Sequence, residues 1–334
     1  MNFKTPLPAA FFHFERHLIN SGENGERGMS SIWTKLVGGA VIAAIAGYGI
    51  FAWVTAPQRQ APSHWVSLGE PDLANGETLF WAGGCASCHA APDATGDALR
   101  TLAGGQPLKS PFGTFHVPNI SSDPQHGIGS WTLAEFGDAM TRGVGKNGEH
   151  LYPSFPYASY ARMTQNDVND LFGYLKTLPA SQNDAPDHDL PFPFNLRMAL
   201  GGWKFLYFDT SAPPRVELAN ANAELLRGQY LVEGPGHCGE CHTPRNALGG
   251  FLEGKWLAGG PNPEGEGRIP DITPGSASIG SWTTADIAGY LETGFTPEFD
   301  SVGGSMVKVQ QNMAHLTAED RNAIAAYLKA IPSR

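Results

Sequence analysis

The chain has no run of lysine or arginine. Its 334 residues carry 22 basic and 32 acidic side chains, a formal net charge of −10. Nothing is present to neutralise a phosphate backbone, so nucleic-acid binding is excluded. Most of the acidic side chains read as solvated surface, with attraction to a basic partner as the alternative. Cysteine is scarce: Cys85, Cys88, Cys238 and Cys241 are all there is, too few for a secreted disulfide scaffold. Convincing strand alternation is missing too. The chain therefore reads as mainly α, without the βαβ setting of a thioredoxin-type pair. Glycine (41) and proline (26) are abundant, which points to many loops around modest regular structure. The length suits about two domains, and 41% hydrophobic residues suffice for packed cores.

One long apolar run stands near the N-terminus. Leu36 to Val54 reads LVGGAVIAAIAGYGIFAWV, without a charge. About 20 such residues span a bilayer as a helix, and Trp53 suits an interfacial anchor. A buried core helix is the ordinary alternative. A signal peptide is the stronger one, with Val54-Thr55-Ala56 as its cleavage site, but its apolar region normally runs only about 7–15 residues. An uncleaved anchor over 36–55 is therefore preferred. Lys35, Arg16 and Arg27 precede the run and Arg59 follows it, a weak positive-inside signal for an inside N-terminus. The first 28 residues look irregular, and Met29 opens a short basic lead that makes it a second candidate start.

Self-similarity organises the rest. GETLFWAGGCASCHAAP from Gly76 resembles GQYLVEGPGHCGECHTP from Gly228. Ile128-Gly-Ser-Trp-Thr132 recurs unchanged as Ile279-Gly-Ser-Trp-Thr283. MTQNDVNDLFGYLKTLP from Met163 matches LTAEDRNAIAAYLKAIP from Leu316. The order is the same and the offset is about 150 residues, the signature of a duplicated domain. Each copy predicts a helix into its cysteine pair, then a long Gly/Pro-rich loop. Thr132-Leu-Ala-Glu135 and Thr283-Thr-Ala-Asp286 give N-cap signals. A last helix follows near Thr164 or Thr317, with Asp167 or Asp320 three residues on. Pro179 and Pro332 stop these last helices. The expected boundaries are an N-terminal extension (1–35), the anchor (36–55), a linker (56–67), a first domain (68–182), a connector (183–220) and a second domain (221–334).

The chemistry lies in the cysteine pairs. They read Cys85-Ala-Ser-Cys88-His89 and Cys238-Gly-Glu-Cys241-His242. C-x-x-C-H is the c-type haem attachment pattern. One helical turn sets both thiols against the vinyl-derived positions of one porphyrin edge, and the next residue aims its imidazole at the iron. A zinc ribbon also uses two C-x-x-C pairs, but needs no histidine after each and keeps its knuckles closer together. Two occurrences in register with a repeat are not accidental. The reading is two covalently bound haem c groups, held by Cys85, Cys88, Cys238 and Cys241, with His89 and His242 as axial ligands.

A methionine thioether opposite the histidine suits an electron carrier. In the first copy Met140 reads as helix packing, which leaves Met163, just before the last helix. In the second copy Met306, after Val302-Gly-Gly-Ser305, is preferred to Met313. Pro118 and Pro270 hold matching places, and their carbonyls can accept the Nδ1 protons of His89 and His242. A plain loop proline is the competing reading for each.

RGQYLVEGPGHCGECHTPRNALGG from Arg227, GIGSWT, and LYPSFPYASYARM resemble the cytochrome c subunits of membrane-bound bacterial dehydrogenases. Those serve alcohol and gluconate dehydrogenases, and related di-haem subunits serve molybdenum hydroxylases. The likeness runs from about residue 68 to the end, through the connector PFPFNLRMALGGWKFLYF. It implies two tandem class I cytochrome c domains behind the N-terminal transmembrane helix. The alcohol dehydrogenase subunits carry three haems and a C-terminal membrane attachment, so two haems and an N-terminal anchor favour the di-haem relatives. The family also often places methionine before the Pro-Tyr of LYPxxPY. Here that residue is Phe155, which strengthens Met163 by elimination.

The expected function is electron transfer in the periplasm, on an inner-membrane anchor. Electrons would pass from a partner dehydrogenase to a cytochrome, oxidase or quinone, with no substrate chemistry on this chain. The alternative is a di-haem peroxidase, which needs one open iron and a nearby acid, for which Glu135 or Glu149 would have to serve. Two copies on one template, each offering a methionine, argue against that asymmetry.

Overall fold

The computed structural model describes residues 15–333 apart from 67, 253, 263, 264 and 266, and gives the backbone alone for 15–31. The chain divides into two units, Met1–Ala56 and Pro57–Arg334.

The described part of the first unit is one helix, α1 (Glu15–Val54). It starts well before Leu36 and takes in residues that the sequence reads as irregular. Its stretch Ile32–Val54, 23 residues long, is apolar and long enough to cross a membrane. At 1.5 Å per residue that length exceeds the ~30 Å hydrocarbon core of a bilayer. Most of its side chains are exposed: Ile42 is 69% exposed and Trp53 80%. Residues 1–14 of the expected extension lie outside the described residues, and its boundary with the anchor at 35/36 falls inside α1.

The second unit is mainly helical and carries the same order of elements twice. The first set is α2 (Leu73–Ala82), α3 (Cys85–His89), α4 (Leu133–Arg142), α5 (Tyr157–Tyr160) and α6 (Gln165–Thr177). A connecting helix follows, α7 (Ala199–Tyr207). The second set is α8 (Ala223–Glu233), α9 (Gly239–His242), α10 (Thr284–Thr293), α11 (Met306–Met313) and α12 (Ala318–Ala330). The expected caps are in place. Thr132 and Glu135 form a full capping box on α4, as Thr283 and Asp286 do on α10. Thr164 and Thr317 accept from the backbone amides of Asp167 and Asp320.

Two short antiparallel hairpins lie in the loops. β1 (Pro107–Ser110) pairs with β2 (Gly113–His116), and β3 (Gly260–Pro261) with β4 (Arg268–Ile269). No alternation announces them in the sequence, because strands of two to four residues are too short to show a period.

Within each set the first and last helices cross at a glycine. A Cβ on Gly76 would lie 2.2 Å from the Asp170 carbonyl oxygen, and one on Gly228 would lie 1.9 Å from that of Ala323. The backbones are therefore in contact, and any side chain at either position would separate them. Charge pins the flanks. Asn75 donates to Asp167 and Asp170 at 2.7 and 2.8 Å, and Arg227 grips Asp320 with two bonds of 2.8 Å.

One continuous hydrophobic core runs through both sets, from Trp65 and Leu79 to Leu328 and Ile331. Trp65, in the segment 56–67 read as a linker, is 5% exposed and packs on Gly137. That segment is part of the folded unit, and Arg59 in it donates to the Gly145 carbonyl at 2.9 Å. The connector is also built in. Lys204 donates to the carbonyls of Arg142 and Gly143 at 2.8 and 2.6 Å, closing the end of α4. Trp203 beside it donates to the Leu248 carbonyl at 2.9 Å, so α7 is bonded to both sets.

The glycine crossings have a signed consequence. Gly289, on α10, has open space around it. Gly289→Ala should stabilise the protein by up to about 1 kcal/mol through helix propensity. Gly228→Ala should do the opposite, costing about 1–3 kcal/mol because the added methyl forces the helices apart. Denaturant midpoints of the two variants give the signs, and a gain for Gly228→Ala would disprove the close crossing.

Candidate functional site

Each C-x-x-C-H segment forms one short helical turn at the end of a longer helix. The chain reverses between α2 and α3 at Gly84, whose φ is +58°. No disulfide joins the cysteines. Burial pushes the Cys85 and Cys238 thiols up to about 12, which favours the neutral thiol over the thiolate at both positions. Among the described residues, no three histidine, cysteine or acidic side chains converge on a possible metal position. The two pairs are thus separate sites, as the haem reading requires.

The histidines are held at two points each, in the same way. The His89 carbonyl accepts from the Gly104 amide at 2.7 Å, and the His242 carbonyl from the Gly259 amide at 2.7 Å. On the ring, His89 Nδ1 donates to the Pro118 carbonyl at 2.9 Å and His242 Nδ1 to that of Pro270 at 2.8 Å. Both glycines have φ of +68°, and a Cβ on either would collide with the backbone after the histidine's acceptor loop turns back (Pro118–Asn119, Pro270–Asp271). A donated Nδ1–H leaves Nε2 with its lone pair free for a metal and fixes the ring plane. Burial pushes the His89 imidazole down to about 4 and also lowers His242, so both rings are neutral, as ligation demands. Two cysteines one turn apart, followed by an imidazole whose Nε2 is left with its lone pair, fit covalent haem c at each turn.

The methionines fall in distinct settings. Met163 is 7% exposed and sits between α5 and the cap of α6, in the same core as Cys85. Met306 opens α11, half-buried and packed against that core. Met313 closes α11 at 4% exposure, and Met140 lies on α4 at 5%. Glu135 is committed to its capping box.

Sequence reading missed the contact between the two sets. They meet across a seam whose contacts recur with the roles of the two sets exchanged. Ser159, four residues before Met163, donates to Glu240 inside the second C-x-x-C-H at 2.8 Å. Asn312, four residues before Leu316, donates to Ser87 inside the first at 2.6 Å. Arg162 pairs with Glu233 at 3.6 Å. The matching positions are His315 and Trp81, which stack at 3.7 Å between centroids. Glu233 is 3% exposed, and it also accepts from Tyr327 at 2.7 Å, Gln229 at 3.0 Å and the Arg215 amide at 2.8 Å. The signal was available, since the repeat alignment pairs these residues, but nothing in one strand of text says that paired positions touch.

A profile of the cytochrome c family matches residues 73–179. A protein of Cereibacter sphaeroides named diheme cytochrome c-type is 51% identical over 298 residues, covering 89% of this chain and 98% of the relative. The fructose dehydrogenase cytochrome subunit of Gluconobacter japonicus is 36% identical over 87% of this chain and 57% of its own length. The cytochrome c subunit of the quinone alcohol dehydrogenase of Gluconobacter oxydans is 35% identical over 81% and 57%. The chain thus spans nearly all of the first relative and little more than half of the two dehydrogenase subunits. With the attachment turns, the neutral histidines and these relatives together, the chain belongs to the cytochrome c family and is an electron-transfer protein of the kind found as cytochrome subunits of dehydrogenases, not an enzyme.

Proposed function

We propose that this chain is a di-haem electron relay, with one haem c on Cys85 and Cys88 and a second on Cys238 and Cys241. His89 and His242 would each ligate the iron through Nε2, and Met163 and Met306 would supply the thioether ligands. The observation that carries the reading is the repeated histidine clamp, Nδ1 to a proline carbonyl and backbone carbonyl to a glycine amide, at both turns. The family profile covers the first set alone. The second set, residues 221–334, is assigned as another cytochrome c domain because it repeats the five α-helices and the hairpin of the first, 68–182, in the same order.

When bound, haem c supplies a reversible one-electron iron couple. The chain's own contribution is to hold the ligands and keep the rings neutral. It also excludes water with the aromatic and aliphatic core around Phe80, Tyr160 and Tyr327. Met163 is supported by its burial in the core against which Cys85 packs and by the absence of a thioether at Phe155. Met306 is supported because Leu316, the counterpart of Met163, has no ligating atom. Relatives named as cytochrome subunits of fructose and alcohol dehydrogenases support a dehydrogenase as the electron source, with a respiratory cytochrome, oxidase or quinone as acceptor. The Ile32–Val54 stretch supports an inner-membrane anchor with the folded unit in the periplasm. A peroxidase is not favoured, since both sets follow one template and each offers a methionine, and Glu135, one of its two candidate acids, is spent on a helix cap.

Haem counting tests the stoichiometry. The double variant Cys238→Ser, Cys241→Ser should retain half the covalent haem of the parent in a pyridine haemochrome assay. So should Cys85→Ser, Cys88→Ser, and full retention in either sinks the two-site reading. The distal ligands are separable by spectroscopy. Met163→Ala and Met306→Ala should each remove part of the methionine–iron charge-transfer band and lower one midpoint potential, whereas Met313→Ala should leave both intact. Addition of peroxide to the reduced parent should give no turnover.

A further inference from the structure

The approach to the second attachment turn is one residue longer than the approach to the first, counting from Leu231 to Cys238 and from Leu79 to Cys85. His237 sits in the longer approach, with φ of +38°, directly before Cys238. Its ring crosses the seam. Nε2 donates to the Gly83 carbonyl oxygen at 3.1 Å, and Gly83 lies two residues before Cys85. The Tyr160 hydroxyl donates to the same oxygen at 3.4 Å, and its ring meets the imidazole edge-on at 5.6 Å between centroids. The backbones are close as well. A Cβ built on Gly83 would be 3.6 Å from Cys85 Sγ and also 3.6 Å from the Pro235 carbonyl oxygen.

The other seam contacts have a different geometry. Asn312 to Ser87 and Ser159 to Glu240 each join one attachment turn to the segment before the other set's last helix. The His237 bond joins turn to turn. From Cys85 through Gly84 and the Gly83 carbonyl, across one hydrogen bond to the imidazole and on to Cys238, the path has a single non-covalent step. Resting on the reading that both turns carry haem, the geometry points to His237 as the positioning residue that couples the two haem-bearing cysteines. It holds the two turns in fixed relation and supplies the through-bond link between them. The exchange it serves is one electron lost at one iron and gained at the other, with the Nε2 proton staying on the ring.

The test uses the full-length holoprotein. His237→Phe keeps a ring and removes the donor, while His237→Gln keeps a donor. After flash photoreduction of one haem, redistribution of the electron should be about tenfold slower in His237→Phe, equivalent to ~1.4 kcal/mol in the barrier. Haem content, optical spectra and both midpoint potentials should be unchanged, and His237→Gln should recover most of the rate. Nitrogen-15 NMR of the parent should show one histidine Nε2–H protected from solvent exchange and absent from both variants, a readout that stands even if His237→Phe fails to assemble. An unchanged redistribution rate in His237→Phe, or no protected Nε2–H in the parent, overturns the proposal while leaving the relay intact. No redistribution in a parent that carries both haems overturns the relay itself.

Discussion

Two helix backbones pressed together at a glycine set the frame for everything else in the folded unit. At Gly76 against Asp170, and at Gly228 against Ala323, no side chain separates the first and last helices of a set. The closeness fixes how α2 and α8 lie against the last helices, and Cys85 and Cys238 follow three and five residues after α2 and α8 end. The crossing also brings the segments before α6 and α12 to the seam, and these hold Met163 and the residues around Met313. A few ångströms of separation at the crossing would move both sides of the site.

Duplication turned that frame into a two-site unit with a shared interior. Because the sets are related by an approximate exchange, one contact evolved at a given pair of positions has a counterpart at the exchanged pair. The counterparts need not share chemistry. Arg162 with Glu233 is a charge pair, and His315 with Trp81 is a ring stack. The first is the costlier device. A carboxylate at 3% exposure must be desolvated, and it is tolerable here because a guanidinium, a phenol, an amide side chain and a backbone amide all face it. Removing one partner of such a buried pair typically costs about 3–5 kcal/mol, so the seam is not a loose association of two domains.

Much of the fold was legible in the sequence. The helix starts at Thr132, Thr164, Thr283 and Thr317 were readable because capping is a local bargain between a side chain and the next turn's amides. The partner carbonyls of Pro118 and Pro270 were readable because the repeat put both prolines at matching distances from their histidines. The short hairpins, the burial of Trp65 and the anchoring of the connector through Lys204 were not. Each depends on contacts between residues far apart in the chain, and no local period or motif encodes them.

The sequence by itself determined the chemistry. Cys85, Cys88 and His89, and Cys238, Cys241 and His242, have only one familiar use at that spacing, since covalent attachment and ligation are decided within one helical turn. Only the tertiary structure decided how the two turns face each other. The distance from His237 to Gly83 follows from how two helix pairs pack, and packing is settled by the shape of the whole core rather than by neighbours along the chain.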